Sequence, residues 1–425
     1  MFPTSGHRRF AMIVFGWLAA VLNAPTRAGE GDRSLPIAWD KEILTIRGKI
    51  NLMPADFLEL EARYRRDFPM QERGQTTTAN VPGAKRLIEF GWDEPDTSFL
   101  RRHHAQLEQS PFDGCVFHVL TRNSRGANEN FAWLAWGRRQ FTRAEIQGAI
   151  DDLRSLAGAK CRHHFLRLNV TPADLDWFDD HAAILDNARL AAEMSRAGGC
   201  AGILLDTEQY QGKLFELRRQ RDQSRHSWQE YANQAQKRGR EVMTAFQEGF
   251  PDLTVIVTFG HSLLWKESEA GKKPLADCAN GLLVPFLDGM VEAAQGKTKL
   301  VDGHELSYGY RDANAFIAAR EVIGQRAATL AADQTRYRRV VAAGFGLWLD
   351  YDWRNKGWHT ERLEENHFSP GRLEASLRAA IEQSDEYVWI YTEKPRWWSE
   401  RGVAVDLPGA YVETVRRVRR ALLEN

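Results

Sequence analysis

The amino-acid sequence predicts a (β/α)8 barrel. Three observations point there. Short apolar runs alternate with helical patterns, which argues for a parallel sheet covered by helices. Eight such units spread over roughly 310 of the 425 residues, a size suited to a barrel of about 250 residues with insertions. No G-x-G-x-x-G follows the first run, which counts against a doubly wound open sheet, the alternative.

In chain order the expected strands are Arg86–Trp92, Cys115–Val119, Phe165–Val170, Gly202–Glu208, Leu253–Phe259, Leu282–Leu287, Phe345–Asp350 and Tyr387–Glu393. The expected helices include Thr97–Leu107, Arg143–Leu156, Ala182–Arg196, Trp228–Gln247, Ala313–Val341 and Arg372–Gln383. Asp96 and Thr142 are good caps for the first two. His304–Tyr308 also looks extended, a ninth candidate. Either it follows the sixth strand, or one of the eight is misassigned.

The barrel is assigned to residues 85–425. Residues 29–84 form no barrel unit and are expected to make an N-terminal extension or cover. Residues 1–28 read as a secretory signal peptide. His7, Arg8 and Arg9 precede the apolar stretch Phe10–Leu22, and Thr26-Arg27-Ala28 offers small residues for cleavage. The stretch is too short to span a bilayer comfortably; an uncleaved anchor is the alternative. The expected location is therefore secreted or periplasmic, with no membrane association after cleavage.

Lysine plus arginine equals aspartate plus glutamate, 57 against 57. Without excess positive charge there is little whole-protein attraction for nucleic acid or an anionic membrane. Cleavage after Ala28 removes Arg8, Arg9 and Arg27, leaving 57 − 3 = 54 basic against 57 acidic residues, a net −3. Cys115, Cys161, Cys200 and Cys278 contain no C-x-x-C pair. A Cys161–Cys200 disulfide and buried free thiols both remain open.

In a barrel the active site lies at the C-terminal ends of the strands, so the inward polar residues there carry the argument. Alternation puts Gly202, Leu204, Asp206 and Glu208 on one face. That strand turns from apolar to doubly acidic as it ends, and a buried strand rarely ends so unless the charges are used. Asp93 follows the first strand, and Arg167 and Asn169 share a face of the third. Trp348, Asp350 and Asp352 share a face of the seventh; Tyr387, Trp389, Tyr391 and Glu393 share one of the last. Glu305 and Tyr308 sit in the ninth segment, and Tyr210 follows Glu208. Six of the 14 tryptophans fall between Trp348 and Trp398. Acids with flat aromatics at one mouth suit a sugar, whose hydroxyls meet the acids and whose apolar faces stack on rings. The pairs His103-His104 and His163-His164 read as structural or exposed. No cofactor and no metal are expected. A metal-dependent hydrolase is the least favoured reading, since only His118 and His261 sit suitably.

The stretch Gly202–Tyr210, Gly-Ile-Leu-Leu-Asp-Thr-Glu-Gln-Tyr, resembles the fourth strand of family 18 glycoside hydrolases. More broadly the chain resembles secreted bacterial barrel proteins of the glycoside hydrolase type. The family 18 resemblance implies that Glu208 is the general acid and Asp206 its partner, orienting a substrate acetamido group that acts as nucleophile. It also implies that Trp389 floors the sugar pocket and that the substrate is chitin-like. The family's two earlier aspartates fall here at Ala201 and Leu204, so its full D-x-x-D-x-D-x-E pattern is absent.

The expected function is a glycoside hydrolase acting on a poly- or oligosaccharide, with Glu208 as acid. The second carboxylate is expected to be Asp350, then Glu305, with Asp206 as the substrate-assisted alternative. A carboxyl separation of about 5–5.5 Å implies retention and about 6.5–9.5 Å inversion. A barrel that binds glycan without cleaving it is the competing reading. It predicts carboxylates tied up in salt bridges, for example to Arg167 or Lys394.

Overall fold

The computed structural model describes residues 85–423 apart from 93, 124 and 157. The expected signal peptide and the extension over 29–84 lie outside the described residues, as does Asp93.

Nine parallel strands form a nearly closed barrel. β1 (Arg86–Gly91) pairs with β2 (Gly114–Phe117), and β2 with β5 (Phe165–Asn169). The ladder continues through β6 (Gly202–Asp206), β7 (Thr254–Val257), β8 (Lys299–Asp302) and β9 (Val341–Ala343). β10 (Phe345–Trp348) pairs with β11 (Tyr387–Thr392), and β11 returns to β1. β9 and β10 are two halves of one strand either side of Gly344. The first half pairs with β8 and the second with β11, so the nine strands occupy eight positions. A short antiparallel hairpin, β3 (Leu120–Arg122) with β4 (Asn128–Asn130), follows β2.

Helices alternate with these strands: α1 (Thr97–Gln109), α2 (Phe131–Leu134), α3 (Arg143–Arg154), α4 (Ala182–Ala197), α5 (Trp228–Gly249), α6 (His261–Glu267), α7 (Leu283–Ala293), α8 (Ala313–Glu321), α9 (Gln334–Val340), α10 (Trp353–Lys356), α11 (Pro370–Gln383) and α12 (Gly409–Leu423). The expected caps are present. Asp96 accepts from the Phe99 amide, and Thr142 forms a capping box with Glu145. Among the described residues no helix is long and apolar enough to cross a membrane.

One expected strand is wrong. Leu282–Leu287 lies at the start of α7, and the sixth barrel strand is Lys299–Asp302. A helix buried on every side presents an unbroken apolar run, which periodicity cannot distinguish from a buried strand. His304–Tyr308 is not a strand either; Glu305–Gly309 is a 3-10 turn. The expected helix Ala313–Val341 is interrupted by a π segment and a 3-10 turn before α9, and its last residue opens β9.

The barrel interior is filled from β11. Tyr387 packs edge-on against Phe165 at 5.1 Å, and Tyr391 against Phe90 at 5.2 Å. Between them Trp389 is 1% exposed. Its ring needs glycine on two neighbouring segments. A Cβ at Gly303 would lie 2.5 Å from the indole, and one at Gly346 2.7 Å away. Removing such a ring costs about 3–5 kcal/mol. All four cysteines are buried free thiols, so Cys161 and Cys200 are unbridged. His163 bonds Tyr387, the first residue of β11, at 3.1 Å, and the rings of His104 and His164 meet at 5.7 Å. These histidines serve packing.

Candidate active site at the barrel mouth

The C-terminal ends of β5 and β6 bring a buried charge cluster together. Arg167 on β5 donates to both carboxylate oxygens of Glu94 at 3.1 Å and to Asp206 Oδ2 at 2.7 Å. Tyr210 donates its hydroxyl to the same Asp206 oxygen at 3.1 Å. The other oxygen, Oδ1, accepts from the Glu208 amide at 3.1 Å and the Thr258 hydroxyl at 3.2 Å. Asp206 therefore holds four donors from four different residues. The flanks are aromatic: Phe90 and Trp133 lie over the guanidinium at 5.5 and 5.4 Å, and Trp133 meets Tyr210 at 5.0 Å. Burial opposes the charge on Arg167. Glu94, Asp206 and Tyr210 more than offset this and hold it protonated well above the ordinary arginine range.

Glu208 follows on the same strand end and is 2% exposed. Glu305 reaches the mouth by another route. His304 takes a left-handed conformation, φ 45°, that turns the chain from β8 into the 3-10 turn. Ser307 pins this turn to β10, donating to Gly346 O at 2.8 Å and accepting from its amide at 3.1 Å. The turn presents Glu305 and Tyr308 together, with Tyr308 donating to Glu305 Oε1 at 2.5 Å. Tyr308 stacks on Tyr391 at 5.4 Å and receives the Trp389 indole N–H at 3.3 Å. Trp348 closes this aromatic group, edge-on to Tyr391 at 5.6 Å.

Burial raises the Tyr210 hydroxyl well above its usual range, and the charges of Asp206, Glu208 and Glu305 push it further. Burial also raises Tyr391, reinforced by Glu393, Glu305 and Asp350. Of these acids only Glu305 acts on both hydroxyls, and both stay protonated donors at neutral pH.

Asp350 is built differently. Its Oδ1 accepts from the Glu393 amide and the Trp348 indole, each at 3.0 Å, and its Oδ2 from the Lys394 amide at 2.8 Å. Burial lifts its carboxyl to about 6, with Glu393 adding to the rise and the two amides opposing it. Glu393 accepts from the Trp353 indole at 3.1 Å, from Tyr391 at 3.4 Å and from Arg354. Asp352, at φ 64°, starts α10 and pairs with Lys356 at 3.3 Å. Asn169 ends β5 opposite Asp206 and is fully buried.

The structure therefore brings together Arg167, Asn169, Asp206, Glu208 and Tyr210 on one side of the mouth. Glu305, Tyr308, Trp348, Trp389 and Tyr391 stand on another, and Asp350, Asp352 and Glu393 form a third group beside α10. Sequence reasoning missed Glu94, Thr258, Trp133 and the α10 pair Trp353 and Arg354. Alternation offered one clue, since Glu94 continues the Ile88, Phe90 face of β1. For metal chemistry, His118 lies 3.8 Å from Glu94, while His261 bonds Asp288 at 3.0 Å. Among the described residues no three His, Cys, Asp or Glu side chains converge as a ligand set.

No protein-family model matches the chain. No curated protein sequence matches it either. Among solved structures it is similar to an exo-beta-1,4-mannosidase, Op5Man5, from Opitutaceae bacterium strain TAV5, at 11% identity and a TM-score of 0.42. The match covers 80% of this chain and 60% of that one, so the chain spans about three fifths of that protein's length. At this level of similarity, the roles of the residues above rest on the chain's own geometry.

Proposed function

We propose that this protein is a glycoside hydrolase acting on a poly- or oligosaccharide. The carrying observation is a set of buried acids at the C-terminal ends of the strands: Asp206, bonded by Arg167 and Tyr210, Glu208 two residues on, and Glu305, bonded by Tyr308. Glycosidic cleavage needs one carboxyl to protonate the leaving oxygen and a second to act as nucleophile or base. Glu208 is the proposed acid. Glu305 is favoured over Asp350 as the second carboxylate, because both Asp350 oxygens accept from the chain's own amides and indole. Asp206 is a positioning residue, its four bonds fixing the strand end that carries Glu208. Tyr391 and Trp348 are proposed to line the sugar's apolar face. Export through the leader of residues 1–28 is proposed with this function and is tested by fractionating cells that express the full chain.

A specific observation supports the competing reading. Arg167 ties up Asp206 in the manner expected of a barrel that binds glycan without cleaving it. Replacing Glu208 with Gln decides between them, with assays on aryl glycosides and polysaccharides. Turnover in the wild type, reduced about 10²–10⁴-fold in Glu208→Gln, supports the hydrolase. Turnover retained by the variant overturns the role of Glu208. Saccharide binding without turnover in the wild type supports the binding barrel.

A further inference from the structure

Asn169 has no use in the reading above, yet both polar atoms of its side chain are buried without a partner. It ends β5, in register with Asp206 on β6. It shares a strand face with Arg167, whose guanidinium reaches the charge cluster. The side chain is 0% exposed. Neither its Nδ2 nor its Oδ1 has a hydrogen-bond partner. A buried amide left unsatisfied is destabilising, and an apolar residue of the same shape relieves that cost. The acids beside it behave otherwise: Asp206 fills four acceptor positions and the Glu94 carboxylate is held by Arg167, whose Nε alone lacks a partner. An unsatisfied amide next to a fully satisfied carboxylate marks a place reserved for a ligand.

The chemistry of that ligand follows from the amide. It offers donors and an acceptor side by side, which match two adjacent hydroxyls, one accepting and one donating. The local charge narrows the class further. Two carboxylates, Glu94 and Asp206, share the single guanidinium of Arg167, so an anionic sugar is repelled.

We propose that Asn169 is the specificity-determining residue of this site, binding an adjacent pair of hydroxyls on a neutral sugar. This rests on the saccharide reading above. Uronates and sulfated sugars are excluded from the position by the surrounding carboxylates. Binding of the neutral sugar converts an unsatisfied amide into a satisfied one, so affinity and selectivity come from the same group.

The test compares wild type, Asn169→Leu and Asn169→Asp by thermal unfolding, alone and with cellobiose, mannobiose, N,N′-diacetylchitobiose or a digalacturonate. Without ligand, Asn169→Leu is expected to unfold about 1–3 °C higher than wild type. The wild type is expected to be stabilised by a neutral disaccharide and not by the digalacturonate. In Asn169→Leu the affinity for that disaccharide falls on the order of 10²-fold. Asn169→Asp, which keeps the acceptor but adds a third carboxylate beside Glu94 and Asp206, loses affinity as well. A lower melting temperature for unliganded Asn169→Leu overturns the proposal, because the amide then serves the fold. So does wild-type affinity in Asn169→Leu while Glu208→Gln loses turnover, a result that leaves the hydrolase reading standing. Stabilisation by none of the saccharides overturns both.

Discussion

At the end of β6, Asp206 is held mainly by side chains; at the end of β10, Asp350 is held mainly by backbone. Asp206 draws on Arg167, Tyr210 and Thr258. Asp350 draws on the amides of Glu393 and Lys394 and on one indole. Both are almost fully buried. The difference separates a carboxylate proposed to organise chemistry from one that fastens two strands. Amide donors come with the fold and cannot be moved, so Asp350 staples the end of β10 to the end of β11. Side-chain donors bring their own charges, and through them Asp206 is coupled to Glu94, Tyr210 and the site around them.

The largest effect should come from breaking the side-chain arrangement. Arg167→Met leaves Glu94 and Asp206 buried without their counter-charge, and is expected to cost about 3–5 kcal/mol in denaturant unfolding. Adding Glu94→Gln and Asp206→Asn to that variant should recover much of the loss. If the single variant is as stable as wild type, the ion pairs do not hold this end of the barrel.

The backbone-held carboxylate should instead show itself through pH. Burial raises Asp350 to about 6 in the fold, against an ordinary value near 3.8. Below about pH 4 both folded and unfolded chains hold this proton, and the contribution is fully present. Between about 4 and about 6 the unfolded chain ionises first, so stability falls as pH rises, by about 3 kcal/mol in all. Asp350→Asn should flatten that part of the stability curve. An unchanged curve would mean that the carboxyl titrates normally.

The smallest effect is expected at Tyr210. Tyr210→Phe removes one of the four donors to Asp206 and should lower the unfolding free energy, read by denaturant titration, by only about 1 kcal/mol. The same change at the proposed site should reduce turnover more than it reduces stability. Equal, small losses in both would place Tyr210 with the fold rather than with the chemistry.

Much of the barrel was legible because seven of its strands carry strong apolar runs. β8 was not, since Lys-Leu-Val-Asp is four residues long and begins with a charge, while α7 nearby is apolar on every side. Local pattern favours the louder segment. At the site, alternation along Gly202–Glu208 placed Asp206 and Glu208 correctly on one strand end, and likewise Arg167 with Asn169. It could not reveal that Arg167 joins Glu94, 73 residues away, to Asp206, because sequence spacing carries no record of such a pairing. Nor could it separate Asp350 from Asp206. Both read as acids at strand ends, and only the donors around them tell their roles apart.

The closure of the barrel has a consequence for how the protein is made. β11 pairs with β1 across about 300 residues, and it also supplies Tyr387, Trp389 and Tyr391 to the interior. Until Thr392 has left the ribosome, a nascent chain has two strand edges with open amides and carbonyls and a barrel without its filling. Such a chain is exposed to edge pairing with other chains. It becomes a finished barrel only when its last strand arrives.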